Sequence, residues 1–162
     1  MLLRNILPED KNFVIDLWTD PDVTKYMGGP RNIDKLKLSI EDNINNPFQY
    51  EYDLWIVVDK STQNPVGHCG LLEKEVEGIE EIEVIYVINK EFWGKGYATE
   101  IANVLITYAF EEKKTDSVIA LIKPQNEASE KVAVNAGMKL EKEVVRQENI
   151  KMLLFRKKND TI

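Results

Sequence analysis

The sequence predicts an α/β (or α+β) fold in which a mixed sheet carries helices, built as one domain over residues 1–162. Three observations point there. Strand-like apolar runs recur at Leu54–Val58, Val66–Leu72 and Ile82–Ile88, while Ala98, Ile101, Ala102, Leu105 and Ala109 form a helical stripe. Strands come both in hairpin order and separated by helices, which is the pattern of a layered sheet. The 162 residues are 43% hydrophobic and 30% charged, enough for one core and little more.

The elements follow in order. Leu2 to Ile6 reads as a first strand, and Pro8-Glu9-Asp10 turns into a helix that carries Phe13, Ile15, Leu17 and Trp18 and stops at Thr19-Asp20-Pro21. Asp22 to Met27 reads as a helical turn broken by Gly28-Gly29-Pro30. Asn32 is placed to cap a second helix through Asn45, with Ile33, Leu36, Ile40 and Ile44 at helical spacing. Leu54–Val58 and Val66–Leu72 make a hairpin about the turn at Ser61–Pro65. An acidic connection with Glu73, Glu75, Glu77, Glu80 and Glu81 then leads to the strand Ile82–Ile88. A glycine-containing loop and the striped helix follow. Val118–Ile122 is a short buried strand, and Asn126–Ala136 a helix ended by Gly137 in a left-handed conformation. Leu140–Val145 and Ile150–Phe155 close the chain.

Composition narrows the partners. A net charge of −7 argues against binding to nucleic-acid phosphates and favours the approach of cations, amines among them. Cys69 is the single cysteine, so no intrachain disulfide forms. The N-terminal segment is too short and interrupted for a secretory h-region, and no apolar run approaches the roughly 20 residues that span a bilayer. A cytoplasmic protein is the expectation, monomeric or homodimeric, without membrane or nucleic-acid partners.

Gly94-Lys95-Gly96-Tyr97-Ala98-Thr99 joins a strand to a helix. Small residues there let the backbone turn tightly, and the helix start aims N–H groups and a positive dipole end at a ligand such as phosphate. A tight turn without a ligand is the plainer alternative. A Walker A loop would need Gly where Asn89 stands and Ser or Thr where Gly96 stands. A dinucleotide loop would need its third glycine at Thr99 and a carboxylate at the end of the next strand, which instead ends in Ile122-Lys123.

The run from Glu83 through Asn89-Lys90-Glu91-Phe92-Trp93-Gly94-Lys95-Gly96-Tyr97-Ala98-Thr99-Glu100 resembles the acetyl-CoA motif of the GNAT N-acetyltransferase superfamily. Downstream, Asn126-Glu127-Ala128-Ser129 followed by Ala136-Gly137-Met138 resembles a second motif of that family at the matching distance. The branch it is most similar to holds the ribosomal-protein N-terminal (alanine/serine) acetyltransferases. The resemblance implies a mostly antiparallel sheet of six to seven strands, splayed at its central strands and flanked by about four helices. It implies acetyl-CoA as cosubstrate and no metal. Main-chain groups of Val87 and Ile88 would pair with the pantetheine arm, Gly94, Lys95, Gly96, Tyr97, Ala98 and Thr99 would hold the pyrophosphate, and Asn126 would bond the arm. Many members carry a tyrosine acid where this chain has Ala133, so Ser129 is the candidate acid.

Amine acylation needs a group to collect the amine's proton, and Glu83 is the candidate base because a partly apolar cleft would raise its pKa. Glu83 as one more surface acid of a glutamate-rich segment is the alternative, with Glu80 and Glu81 as rival bases. A strand N–H near Val87 or Ile88 would polarise the thioester carbonyl. His68, the single histidine, lacks metal or triad partners and reads as a packed strand residue, with Cys69 on the opposite face. Trp18, Tyr26, Trp55 and Tyr86 read as core or cleft wall. Tyr26–Arg31 reads either as a lid over the acceptor or as a plain helix-breaking loop. The acceptor is a primary amine, on a protein N-terminus or on a small molecule such as an aminoglycoside, polyamine or amino acid. A catalytically silent acyl-CoA-binding module is the rival outside enzymes, and a structural interaction domain would leave both motifs unexplained.

Overall fold

A computed structural model describes residues 1–160. Seven strands form one sheet: β1 (Leu2–Arg4), β2 (Leu54–Val58), β3 (Pro65–Val76), β4 (Ile79–Ile88), β5 (Ser117–Ile122), β6 (Lys139–Arg146) and β7 (Ile150–Lys158). Their order is β1-β2-β3-β4-β5-β7-β6. The pairs β1–β2, β2–β3, β5–β7 and β6–β7 are antiparallel, whereas β4 runs parallel to β5 with Glu83 opposite Ile119. Four helices accompany it: α1 (Lys11–Thr19), α2 (Ile33–Asn45), α3 (Tyr97–Glu111) and α4 (Glu127–Asn135). This is the mixed, mostly antiparallel open sheet with four helices that the family resemblance implies. No helix among the described residues is long and apolar enough to cross a membrane.

The residues pack as two compact units. One comprises Met1–Gly70 with Tyr86–Tyr97, and the other Leu71–Ile85 with the chain from Ala98 onward. In the first unit, Val14, Leu17 and Trp18 of α1 are buried, as are Ile56, Val57 and Val58 of β2. Asn32 caps α2 by accepting the Lys35 N–H at 3.0 Å, as its position before the apolar period predicts. β1 is shorter than expected. Asp10 draws the chain away after Arg4, holding the Arg4 guanidinium at 2.6 and 2.9 Å and the Leu7 N–H at 2.8 Å. That satisfies the Arg4 guanidinium and the Leu7 N–H with one carboxylate in place of a ladder.

In the second unit, Val76, Ile119, Val144 and Leu154 form an apolar cluster with Leu121 and Met152 against it. Ile101, Ala102, Leu105, Ile106 and Ala109 are the buried residues of α3. Gly137 has φ 79° and ends α4: its N–H reaches the Val134 carbonyl at 2.9 Å, and Met138's reaches Ala133's at 3.0 Å.

The acidic connection is not a connection. β3 continues to Val76 and β4 begins at Ile79, so only Glu77 and Gly78 lie between them, at φ 51° and 81°. Positive φ at both turn residues is the geometry that matches strand twist in a two-residue hairpin. Glutamates persist in these strands because alternation puts Glu73 and Glu75 in solvent while Val76 is buried.

Candidate active site

The glycine loop is built by the turn that precedes it. Asn89 ends β4, and its side chain accepts the Glu91 N–H at 3.2 Å while its carbonyl accepts the Phe92 N–H at 2.9 Å. Lys90 binds Asp20 at 2.8 Å and Asp22 at 3.4 Å, tying this turn to the end of α1. Gly94 and Gly96 then take φ 72° and 81°, and a side chain at either would meet no atom within 4 Å. The glycines therefore serve backbone conformation and leave open space on the loop, rather than relieving a clash. α3 starts at once with Tyr97, so Ala98 and Thr99 stand in its first turn. The Tyr97 hydroxyl donates to Asp59 at 3.1 Å, and its ring lies 5.8 Å from that of Phe92. The Ser61 hydroxyl and the Ser61 and Thr62 N–H groups hold the Asp59 carboxyl down to about 2, so this anchor is anionic.

Main-chain geometry sets which way the polar groups of Val87 and Ile88 face. The Asn89 N–H bonds the Val66 carbonyl at 2.9 Å, and the Val87 carbonyl lies so close to Gly67 that a side chain there would approach it to 2.4 Å. Cys69 Sγ donates to the same carbonyl at 3.7 Å. Val87 thus directs its polar groups toward β3, and by alternation Tyr86 and Ile88 direct theirs to the other edge. The Ile88 carbonyl accepts the Trp93 indole N–H at 2.8 Å.

Glu83 is 6% exposed, so it is not a surface acid. Burial pushes its carboxyl above the usual range, opposed by Lys74, by a hydrogen bond from the Leu121 N–H and by the charge of Arg146. Its rivals are differently placed. Glu80 is exposed, and Glu81 is held by Arg156 through contacts of 2.6 and 2.8 Å. Arg156 also binds Glu141 at 2.7 Å and the Ser117 hydroxyl at 2.8 Å, joining side chains from β4, β5, β6 and β7. This clamp carried no motif that a reading of the sequence would single out.

Asn126 caps α4. Its amide oxygen accepts the Ser129 N–H at 3.2 Å, and its amide nitrogen donates to the Ser129 hydroxyl at 2.9 Å. With its oxygen accepting, Ser129 directs its own hydroxyl hydrogen elsewhere. Ala133 lies on the buried face of α4. Of the sequence-predicted residues, Glu83, Ala98, Thr99, Asn126 and Ser129 belong to the second unit. Val87, Ile88, Gly94, Lys95, Gly96 and Tyr97 belong to the first.

His68 is buried beside α1. The Trp18 indole N–H donates to its Nδ1 at 3.0 Å, which places the imidazole hydrogen on Nε2, where among the described residues no hydrogen-bond partner meets ordinary geometry. Burial lowers its pKa to about 4, so it is neutral. The Tyr26–Arg31 segment is tied down. Arg31 donates to the Met27 and Gly29 carbonyls at 2.8 and 3.2 Å and lies over the Trp18 ring at 5.1 Å.

An open glycine turn thus feeds the start of α3 just past the end of β4. The acetyltransferase (GNAT) domain family matches residues 1–139, and the chain belongs to it. It is 33% identical over 143 residues to the uncharacterized protein YkkB of Bacillus subtilis, spanning 88% of this chain and 83% of that one. It is 27% identical to the uncharacterized N-acetyltransferase p20 of Bacillus licheniformis, over 82% and 75% of the two chains. A GNAT-family acetyltransferase from Bacillus anthracis has the same fold, with TM-score 0.82 and 24% identity over 98% of this chain and 95% of its own. Vibrio cholerae spermidine N-acetyltransferase, solved with CoA and spermine, superposes with TM-score 0.79 at 18% identity over 98% and 95%. Vibrio fischeri ribosomal-protein-S5-alanine acetyltransferase gives 0.78 at 20% over 98% and 93%. The protein is an acyltransferase of the N-acetyltransferase class.

Proposed function

We propose that the chain transfers an acetyl group from acetyl-CoA to a primary amine by direct attack within a ternary complex. The observation that carries this is the open, left-handed turn at Gly94 and Gly96 immediately ahead of α3. Main-chain N–H groups from Gly94 to Thr99 would receive the pyrophosphate at the positive end of the helix. Tyr86 and Ile88, whose polar groups face away from β3, would take the pantetheine arm. An Ile88 N–H in that role would also polarise the thioester carbonyl. Asn126 already serves as the α4 cap, and its part toward the arm would be to fix Ser129.

Glu83 would collect the proton that the amine loses on attack. Burial raises its carboxyl above the usual carboxylate range, the direction that suits a base. The departing thiolate would take a proton from Ser129, since Ala133 offers none. The acceptor is an amine on a protein N-terminus or a small molecule; related folds include enzymes named for both kinds.

Free-thiol release from acetyl-CoA, followed across a panel of peptides, polyamines, aminoglycosides and amino acids, tests the reading. At least one amine should be turned over, and Gly96→Val should weaken acetyl-CoA binding by tenfold or more in a folded variant. Tight acetyl-CoA binding without turnover of any amine would instead identify a silent binding module. Unchanged affinity in Gly96→Val would remove the loop from the site.

A further inference from the structure

Glu83 sits in a surrounding that discourages its charge. Its side chain is 8% exposed, its strand partner is Ile119, and the apolar cluster of Val76, Ile119, Val144 and Leu154 occupies the same unit. Four charged or polar features bear on it. From β5, the Leu121 N–H donates to the carboxyl. From the end of β6, Arg146 adds positive charge while its guanidinium donates to the Glu75 carbonyl at 2.7 Å. Along β4, the neighbouring carboxylate of Glu81 is neutralised by Arg156 of β7. From β3, Lys74 brings its ammonium to 3.9 Å from Oε2, with its own side chain 38% exposed. At that distance the pair is a charge contact, longer than a hydrogen bond, so it acts through field and not through a fixed bond.

We propose that Lys74 is the positioning residue whose ammonium, 3.9 Å from Oε2, favours the carboxylate form of Glu83 against its burial and so tunes the pH range in which it can serve as base. The assignment rests on the reading of Glu83 as base, but its electrostatic half stands on the geometry alone. An opposite charge within about 4–6 Å favours the carboxylate against burial, and here the peptide N–H cannot be lost by substituting a side chain. Lys74 is the half-exposed member of the set, so it can be replaced with little disturbance to packing.

The experiment follows the Glu83 carboxyl directly by ¹³C NMR titration, with the resonance assigned through Glu83→Gln. Lys74→Met should move the titration to higher pH, and Lys74→Arg should bring it back, because a field contact needs only the charge. With an accepted amine, Lys74→Met should lower kcat/KM at pH 6 relative to pH 8 by on the order of 3–10-fold, with Lys74→Arg restoring the ratio. A Glu83 titration left in place by Lys74→Met in a folded protein overturns the proposal. So does a moved titration with an unmoved acid limb of the rate profile. If Glu83→Gln itself lies on the wild-type rate profile, the base reading fails, and the NMR result still decides whether Lys74 governs the carboxyl.

Discussion

At the scale of single residues, His68 makes the sharpest demand on solution conditions. Its imidazole titrates at 6.5 when unperturbed and at about 4 when folded, because burial disfavours the cation. Between those values the unfolded chain holds a proton that the folded chain refuses, so acid drives unfolding. The stability that neutral His68 contributes is whole above about pH 7 and is lost as pH falls through 6.5 toward 4. By pH 5 the loss should be about 2 kcal/mol, at roughly 1.4 kcal/mol per unit. Urea unfolding of the native protein and of His68→Gln at pH 7.5 and pH 5 measures it: the native protein should lose more on acidification. Parallel losses would mean that His68 is protonated without penalty. Sequence spacing already marked this histidine as packed in a strand. Its partner Trp18 lies 50 positions away and could not be foreseen, because the bond depends on how α1 meets β3.

Among elements, the β3–β4 hairpin shows where a sequence pattern misleads. Glu73, Glu75, Glu80 and Glu81 read as a polar connection because glutamate is depleted in strands. Solvent accepts the exposed ones, and Arg156 accepts Glu81. The legible cue was Gly78, which sustains positive φ without strain. Gly78→Val should destabilise the protein by about 1–2 kcal/mol, since a β-branched residue at φ 81° is strained even though a side chain would meet no atom within 4 Å. Thermal or urea unfolding reads this, and an unchanged midpoint would show that the turn relaxes at no cost. By contrast, α2, α3 and the Gly137 stop were readable, because caps, stripes and left-handed glycines are local features. Register is not local. Which edge of β4 the main-chain groups of Val87 and Ile88 face depends on the strand paired with it, and spacing along one chain does not carry that.

For the whole molecule, stability rests on apolar burial in each unit, with one polar exception of wide reach. Arg156 binds Glu81, Ser117 and Glu141, so one guanidinium ties its own strand to three others. Both Arg156 and Glu81 are shielded, at 16% and 10% side-chain exposure, and removing the cation strands a carboxylate in a poor solvent. Arg156→Met should cost about 3 kcal/mol at pH 7, read as a drop in unfolding free energy, and Glu81→Gln in that background should recover part of it. Failure of Glu81→Gln to recover any would place the loss in packing by the guanidinium stem. The alternation of strands and helices and the glycine turn ahead of α3 were visible in the sequence because both follow from local spacing. The clamp was not, since its members come from positions 81, 117, 141 and 156 and meet only once the strands are ordered. Cys69 carries a last consequence. The protein's one thiol is fully buried and its pKa is pushed by burial to about 12, so reagents that attack thiolates are excluded while the chain is folded. A thiol reagent added in excess therefore acts as a stopwatch for the native state, each modified molecule recording one excursion in which the strand around Cys69 came open to water.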